Sequence, residues 1–180
     1  MKKTEKLIQD KFLKLLESHN IDEIDINMIC QSLDIKRQTF YYHYKNLYEV
    51  IYSIYYVEKI KDKVTDFNSM IKNCVNYLYK KEWFNREVIN SNAKDILSEF
   101  IFSYLFKELQ KYFVKFKLNT EQKKKEARFI GKAISEYMLH LFENEDLNED
   151  DVYNEICLFI NEDIVLKITK NYIASFKYNK

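Results

Sequence analysis

The run RQTFYYHYKN, Arg37 to Asn46, brings together side chains that can do chemistry. Four of the five residues from Phe40 to Tyr44 are aromatic, the fifth is His43, and Lys36, Arg37 and Lys45 flank them. Guanidinium, ammonium, imidazole and phenol groups are cations and hydrogen-bond donors, the set that grips phosphate oxygens and base edges. The same aromatics could instead be core or line a small-molecule pocket. Between Ile35 and Tyr48 there is no acid, although acids number 28 of the 180 residues. A surface built for phosphates must avoid like charge, and this run does.

Helical geometry sorts the cluster. If Phe40 faces inward toward Ile29, Ile35 and the first helix, Lys36, Arg37, Gln38, Tyr41 and Tyr42 must lie mostly on other faces. Lys36, Arg37, Gln38 and Tyr42 are then candidates for base edges or phosphates. Tyr41 and His43 can donate to phosphate oxygens, Lys45 adds charge nearby, and Thr39 can reach either its own backbone or DNA. Phe40 and Tyr44 read as core.

The elements that must hold this cluster are short helices. Thr4 is a plausible N-cap for a first helix with Ile8, Phe12, Leu15 and Leu16 on one face, ending near His19-Asn20. Asp25 can cap a second, carrying Ile26, Ile29, Cys30 and Leu33 on one side. Asp tolerates a left-handed backbone, so Asp34 can pivot a tight turn into the third segment. Asn46 with Glu49 then opens the next helix. Two short helices joined by a tight turn after a third make a helix-turn-helix unit, whose second helix fits a DNA major groove.

Beyond this unit the helices lengthen, over roughly 46–64, 67–81, 84–90, 92–117, 121–143 and 150–175. The chain has no proline, one glycine (Gly131) and no Asn-Gly or Asp-Gly dipeptide, which favours an all-α fold over one built from hairpins. About nine helices are expected, with a DNA-binding domain at 1–47 and a larger helical domain at 48–180.

The run INMICQSLDIKRQTFYYHYKNLYEVI resembles the DNA-binding signature of the TetR/AcrR family of bacterial transcriptional regulators. The matching points are Ile29, Ile35, Thr39-Phe40-Tyr41, His43-Tyr44 and Asn46. Asp34 stands where the family usually has glycine, Lys36 where it has Ser or Thr, and Leu47 where it often has lysine. The resemblance implies a homodimeric regulator, usually a repressor, with residues beyond about 47 forming a ligand-sensing and dimerisation domain. An effector would shift the fourth helix and change the spacing of the two recognition helices. RFIGKAISEYMLHLFENEDLNEDD also resembles the C-terminal part of small members related to dihydroxyacetone-kinase operon regulators, without the tryptophan expected there.

For dimerisation, 121–143 and 150–175 carry apolar stripes too broad for one-sided burial in a small domain. Gly131 and Ser135, four apart, would let a neighbouring helix approach closely, with Ile134, Met138, Ile156 and Ile160 beside them. Aromatic candidates to line an effector pocket are Tyr55, Tyr56, Phe67, Tyr77, Trp83, Phe100 and Tyr104, although each could be ordinary core. Phe and Tyr together number 28, which suits an apolar or aromatic effector.

Other classes fit less well. The formal charge is +1, so nucleic-acid binding must be local. No segment suits a signal peptide or a membrane span, and a cytoplasmic protein is expected. No Glu-x-x-His pair, phosphate loop, G-x-S-x-G or H-E-x-x-H occurs, so no catalytic activity, metal or cofactor is expected. Cys30, Cys74 and Cys157 read as reduced thiols on apolar stripes. An activator of the same fold, or a protein-interaction adaptor that does not read DNA, are the alternatives.

Overall fold

A computed structural model describes residues 3–57 and 59–178, and their side chains through residue 171. The described residues form ten α-helices and two 3-10 turns, with no strand among them, against about nine helices expected. The chain divides into two compact units.

The first unit comprises the chain through Lys59 together with Trp83–Leu97. It holds α1 (Lys3–Leu15), a 3-10 turn (Ile21–Glu23), α2 (Ile26–Leu33), α3 (Arg37–His43), α4 (Leu47–Val57) and most of α6 (Glu82–Ile89). Helix α1 packs on α2 and α4, and α2 on α3, around fully buried Ile8, Phe12, Ile29, Phe40, Val50 and Ile51. Each such side chain contributes about 1.5–3 kcal/mol by leaving water. Tyr55 is buried in the same unit, its ring 5.5 Å from Phe84 and its hydroxyl donating to Asn85 Oδ1 at 3.0 Å. The unit therefore extends past residue 47, because α4 spends its inner face on α1 and on residues 84–85.

The second unit comprises Ile60–Glu82 and residues from Ser98 onward. It contains α5 (Phe67–Lys80), most of α7 (Lys94–Tyr112), a 3-10 turn (Phe113–Lys115), α8 (Thr120–Glu143), α9 (Glu149–Phe159) and α10 (Glu162–Tyr178). Helix α9 packs on both α5 and α8. Capping explains where these helices start. Asp66 accepts from the Ser69 N–H at 2.7 Å, Asn119 from Gln122 at 2.9 Å, and Asn148 from Asp150 and Asp151 at 2.9 and 3.1 Å. Each satisfies backbone donors that a first helical turn leaves free.

Two expected helices are shorter than their sequence patterns. The fourth ends at Val57 instead of about 64, since Ile60 and Val64 are too few apolar residues to hold further turns against a core. The last expected helix, 150–175, is two. Ile160 is extended (φ −132°, ψ 91°), and the Asn161 side chain accepts from the Ile164 N–H at 3.1 Å, capping a new helix. The four-residue row Ile156, Ile160, Ile164 and Ile168 thus spans a break and is not one face.

Candidate nucleic-acid interface

The local frame of α3 is set by its neighbours in sequence. Asp25 Oδ1 accepts from the Met28 N–H at 2.8 Å and starts α2. Asp34 ends it in the left-handed region at φ 50°, ψ 45°, and is the sole described non-glycine residue with positive φ. Its N–H returns to the carbonyls of α2, so the chain reverses within Asp34-Ile35-Lys36 and enters α3. Helix α3 ends at extended Tyr44, after which Asn46 Oδ1 accepts from the Glu49 N–H at 3.0 Å to begin α4. Glu49 reaches back to the Lys45 N–H at 2.7 Å, one residue earlier than a capping box on Asn46 requires.

Phe40 is the anchor, fully buried. With that face fixed, Lys36, Arg37, Gln38, Tyr41, Tyr42 and Lys45 are exposed and Thr39 is half-buried. Tyr42 is 75 % exposed and Tyr41 48 %, a large apolar area for one short helix to show to water. Arg37 Nη2 approaches the Tyr41 hydroxyl at 3.5 Å, a separation that leaves most of its donors unspent. Glu49 offsets the surface charge modestly, 3.7 Å from the Lys45 ammonium.

Tyr44 is core, as its position beside α4 suggests, and is 6 % exposed. One of its partners lies 35 positions away in the chain. Gln9, buried on α1, donates to Ser53 Oγ at 2.7 Å and to the Tyr44 hydroxyl at 3.2 Å, tying α1, α4 and the end of α3 together.

His43 departs from the outward role expected for it. Its side chain is only 7 % exposed, and Nδ1 is buried 3.5 Å from Glu5 Oε1 without a hydrogen bond. A short polar residue on α1 can face a helix far away in sequence, and periodicity cannot anticipate that. The Tyr42 ring meets the His43 ring edge-on at 5.0 Å.

The seven aromatics expected around an effector are divided between the units. Tyr55, Tyr56 and Trp83 belong to the first, and Phe67, Tyr77, Phe100 and Tyr104 to the second. Tyr55 and Phe67 are core, at 1 % exposure each. Tyr77 packs on Phe100 with centroids 4.9 Å apart, and the Tyr104 hydroxyl accepts from Asn73 Nδ2 at 3.2 Å. Tyr56 and Trp83 stay exposed, Tyr56 stacked on Tyr52 with Lys59 Nζ 4.1 Å from its ring centre.

The small-residue stripe of α8 turns out to serve the chain's own packing. Gly131 is buried, and a Cβ there would lie 3.5 Å from Phe102 and Leu109, so it admits α7 of the same chain. Ile134, Ser135, Met138 and Ile156 are fully buried as well, and Ile160 is half-buried. A side chain with no exposed area in one chain has none to give a second. The apolar surface left on α8 and α9 is Phe129, Leu158 and Phe159, at 66, 71 and 60 % exposure.

All three cysteines are free thiols, Cys30 and Cys74 buried and Cys157 half-buried. Among the described residues no group of His, Cys, Asp or Glu could hold a metal ion, and no helix is long and apolar enough to cross a membrane.

No family model matches the chain, and a search of curated proteins finds no match. Among solved structures the chain is similar to one described as dihydroxyacetone kinase operon activator DhaS. The TM-score is 0.61 over 93 % of this chain and 97 % of that one, at 20 % identity. At that identity the likeness shows a shared all-helical fold.

Proposed function

We propose that the chain is a sequence-specific DNA-binding transcriptional regulator that acts as a homodimer, a repressor released by a small apolar effector. One observation carries this reading. Lys36, Arg37, Gln38, Tyr41 and Tyr42 are exposed on the short helix after a tight turn, with Phe40 buried behind them and no acid from Ile35 to Tyr48. That is the geometry of a helix whose exposed side chains enter a major groove while flanking donors hold phosphates. An adaptor with the same fold has no use for two solvent-exposed tyrosines set beside the exposed Lys36 and Arg37.

Dimerisation follows from the same chemistry. One recognition helix reads a few base pairs, whereas a twofold pair reads two half-sites and multiplies selectivity. The surface proposed for the second copy is the one left uncovered on α8 and α9, Phe129, Ala133, Leu158 and Phe159, in place of the buried Gly131 stripe. Activation is the second reading, favoured by the name of the similar structure, an operon activator.

Selection of bound duplexes from a randomised pool tests the proposal. The expected product is an inverted repeat with half-sites separated by whole helical turns; a pool that stays random after several rounds contradicts it.

A further inference from the structure

A cleft of about 480 Å³ opens in the first unit between the 3-10 turn, the start of α2, Arg37 of α3, the start of α4 and Asn92. Its lining is apolar where it is deep: Ile21, Ile24 and Ile51 are buried, and Ile26 and Leu47 are half-buried. Its polar members include three exposed charges, Asp22, Asp25 and Arg37. Its volume lies within the about 300–1,000 Å³ of small-molecule sites, and its lining joins an apolar floor to a polar rim.

The three charges are under-used. Asp25 spends Oδ1 on the Met28 N–H, and the two oxygens of Asp22 share one N–H of Asn92 at 3.3 Å each. Arg37 has only its long approach to Tyr41. Among the described residues none of the three forms an ion pair. Arg37 and Asp25 line the same cleft.

Unpaired charges of both signs around one apolar cleft suit a molecule that carries both. A singly charged ligand would pair with one sign and be repelled by the other, whereas a zwitterion forms charge-assisted hydrogen bonds at each end. We propose that this cleft binds an apolar α-amino acid, its ammonium group at Asp22 and Asp25, its carboxylate at Arg37 and its side chain on the isoleucine lining. The consequence for regulation rests on the DNA-binding reading above: a ligand that holds Arg37 removes it from the groove, so ligand and DNA compete. The effector would then act on the reading head itself.

The test is an NMR titration of the isotope-labelled full chain, without DNA, with L-leucine and L-phenylalanine. Phenethylamine and phenylpropionate, which each keep one of the two charges, run beside them. Saturable shifts centred on Asn27, Arg37, Asn46 and Tyr48 are expected for at least one amino acid. Each one-charge analogue should bind about tenfold or more weakly, and Asp22→Asn and Arg37→Ala should each lower affinity about tenfold with the melting temperature unchanged. No saturable shift by about 10 mM, weaker than any useful affinity, would overturn the site, and so would analogues that bind as well as the amino acid. Because DNA is absent, neither result bears on DNA binding. Repeating a DNA-binding isotherm with the cleft saturated tests the competition separately: unchanged DNA affinity overturns the competition and leaves the site standing.

Discussion

Helices α3 and α8 each carry a marked set of residues, and they dispose of those residues in opposite ways. Helix α3 turns Arg37, Gln38, Tyr41 and Tyr42 to water and gives only Phe40 wholly to the core. Helix α8 takes Ile130, Gly131, Ile134, Ser135, Met138 and Leu139 inside and leaves Phe129 out. The difference lies in what each signal constrains. Charge is costly to bury, so a basic run announces exposure wherever it falls. A small-residue stripe announces only that another helix comes close, and in α8 that helix is α7 of the same chain.

Breaking the anchor of α3 should have the largest effect. Phe40→Ala removes a ring with no exposed area and should cost about 3–5 kcal/mol of stability, read by urea unfolding. A loss under about 1 kcal/mol would mean that α3 is not held as described.

The α8 side of the comparison is sharpened by a pair of substitutions. Gly131→Leu drives a side chain into Phe102 and Leu109 and should cost about 1–3 kcal/mol or more, whereas Gly131→Ala fits at ordinary contact and should gain about 0.5–1 kcal/mol of helix propensity. Sedimentation of both should match the wild type. In contrast Phe129→Glu should leave stability nearly unchanged and weaken self-association. If Gly131→Ala dissociated the proposed dimer while Phe129→Glu did not, the two faces would have to be exchanged.

A smaller effect tests a buried charge on α8. Glu126 is 5 % exposed, its Oε2 lacks a hydrogen-bond partner, and burial holds its carboxyl above the ordinary value of 4.5. A folded pKa above the unfolded one means that this group's favourable contribution is complete below the ordinary value and is lost as pH rises through the folded one. Glu126→Gln should therefore stabilise the chain by about 1 kcal/mol near neutral pH, with the gain shrinking as pH falls toward 4.5. Thermal melts across that range measure it.

The smallest gain belongs to the turn. Asp34 holds a left-handed backbone that costs most side chains about 1–2 kcal/mol, so Asp34→Gly should gain about 0.5 kcal/mol after glycine's greater freedom when unfolded is counted. Asp34→Val should lose at least as much as the strain.

What could be read from the sequence was local. Asp25, Asn46 and the pivot Asp34 act within a few residues of themselves, so their roles were visible before any fold. Phe40 and Tyr44 were legible because a short basic helix leaves large rings one sheltered face. The Gln9, Ser53 and Tyr44 network, the approach of Glu5 to His43 and the packing of Gly131 on Phe102 join residues 29 to 44 positions apart, and no local pattern encodes them. The break at Ile160 was hidden for a different reason: a four-residue row of isoleucines reads as one helix, and only Asn161 hinted at a cap.

The proposed function turns on the exposed face of α3 reading DNA. The most direct test is fluorescence anisotropy of wild type, Arg37→Ala and Tyr42→Ala against duplexes tiled across the DNA upstream of the gene, with shuffled duplexes as controls, at about physiological salt. Selective binding at two chains per inverted repeat is predicted, with each variant weakened by about 1–3 kcal/mol and folded as before. Equal, weak binding to every duplex that fades as salt rises, or variants that bind as wild type does, would contradict it.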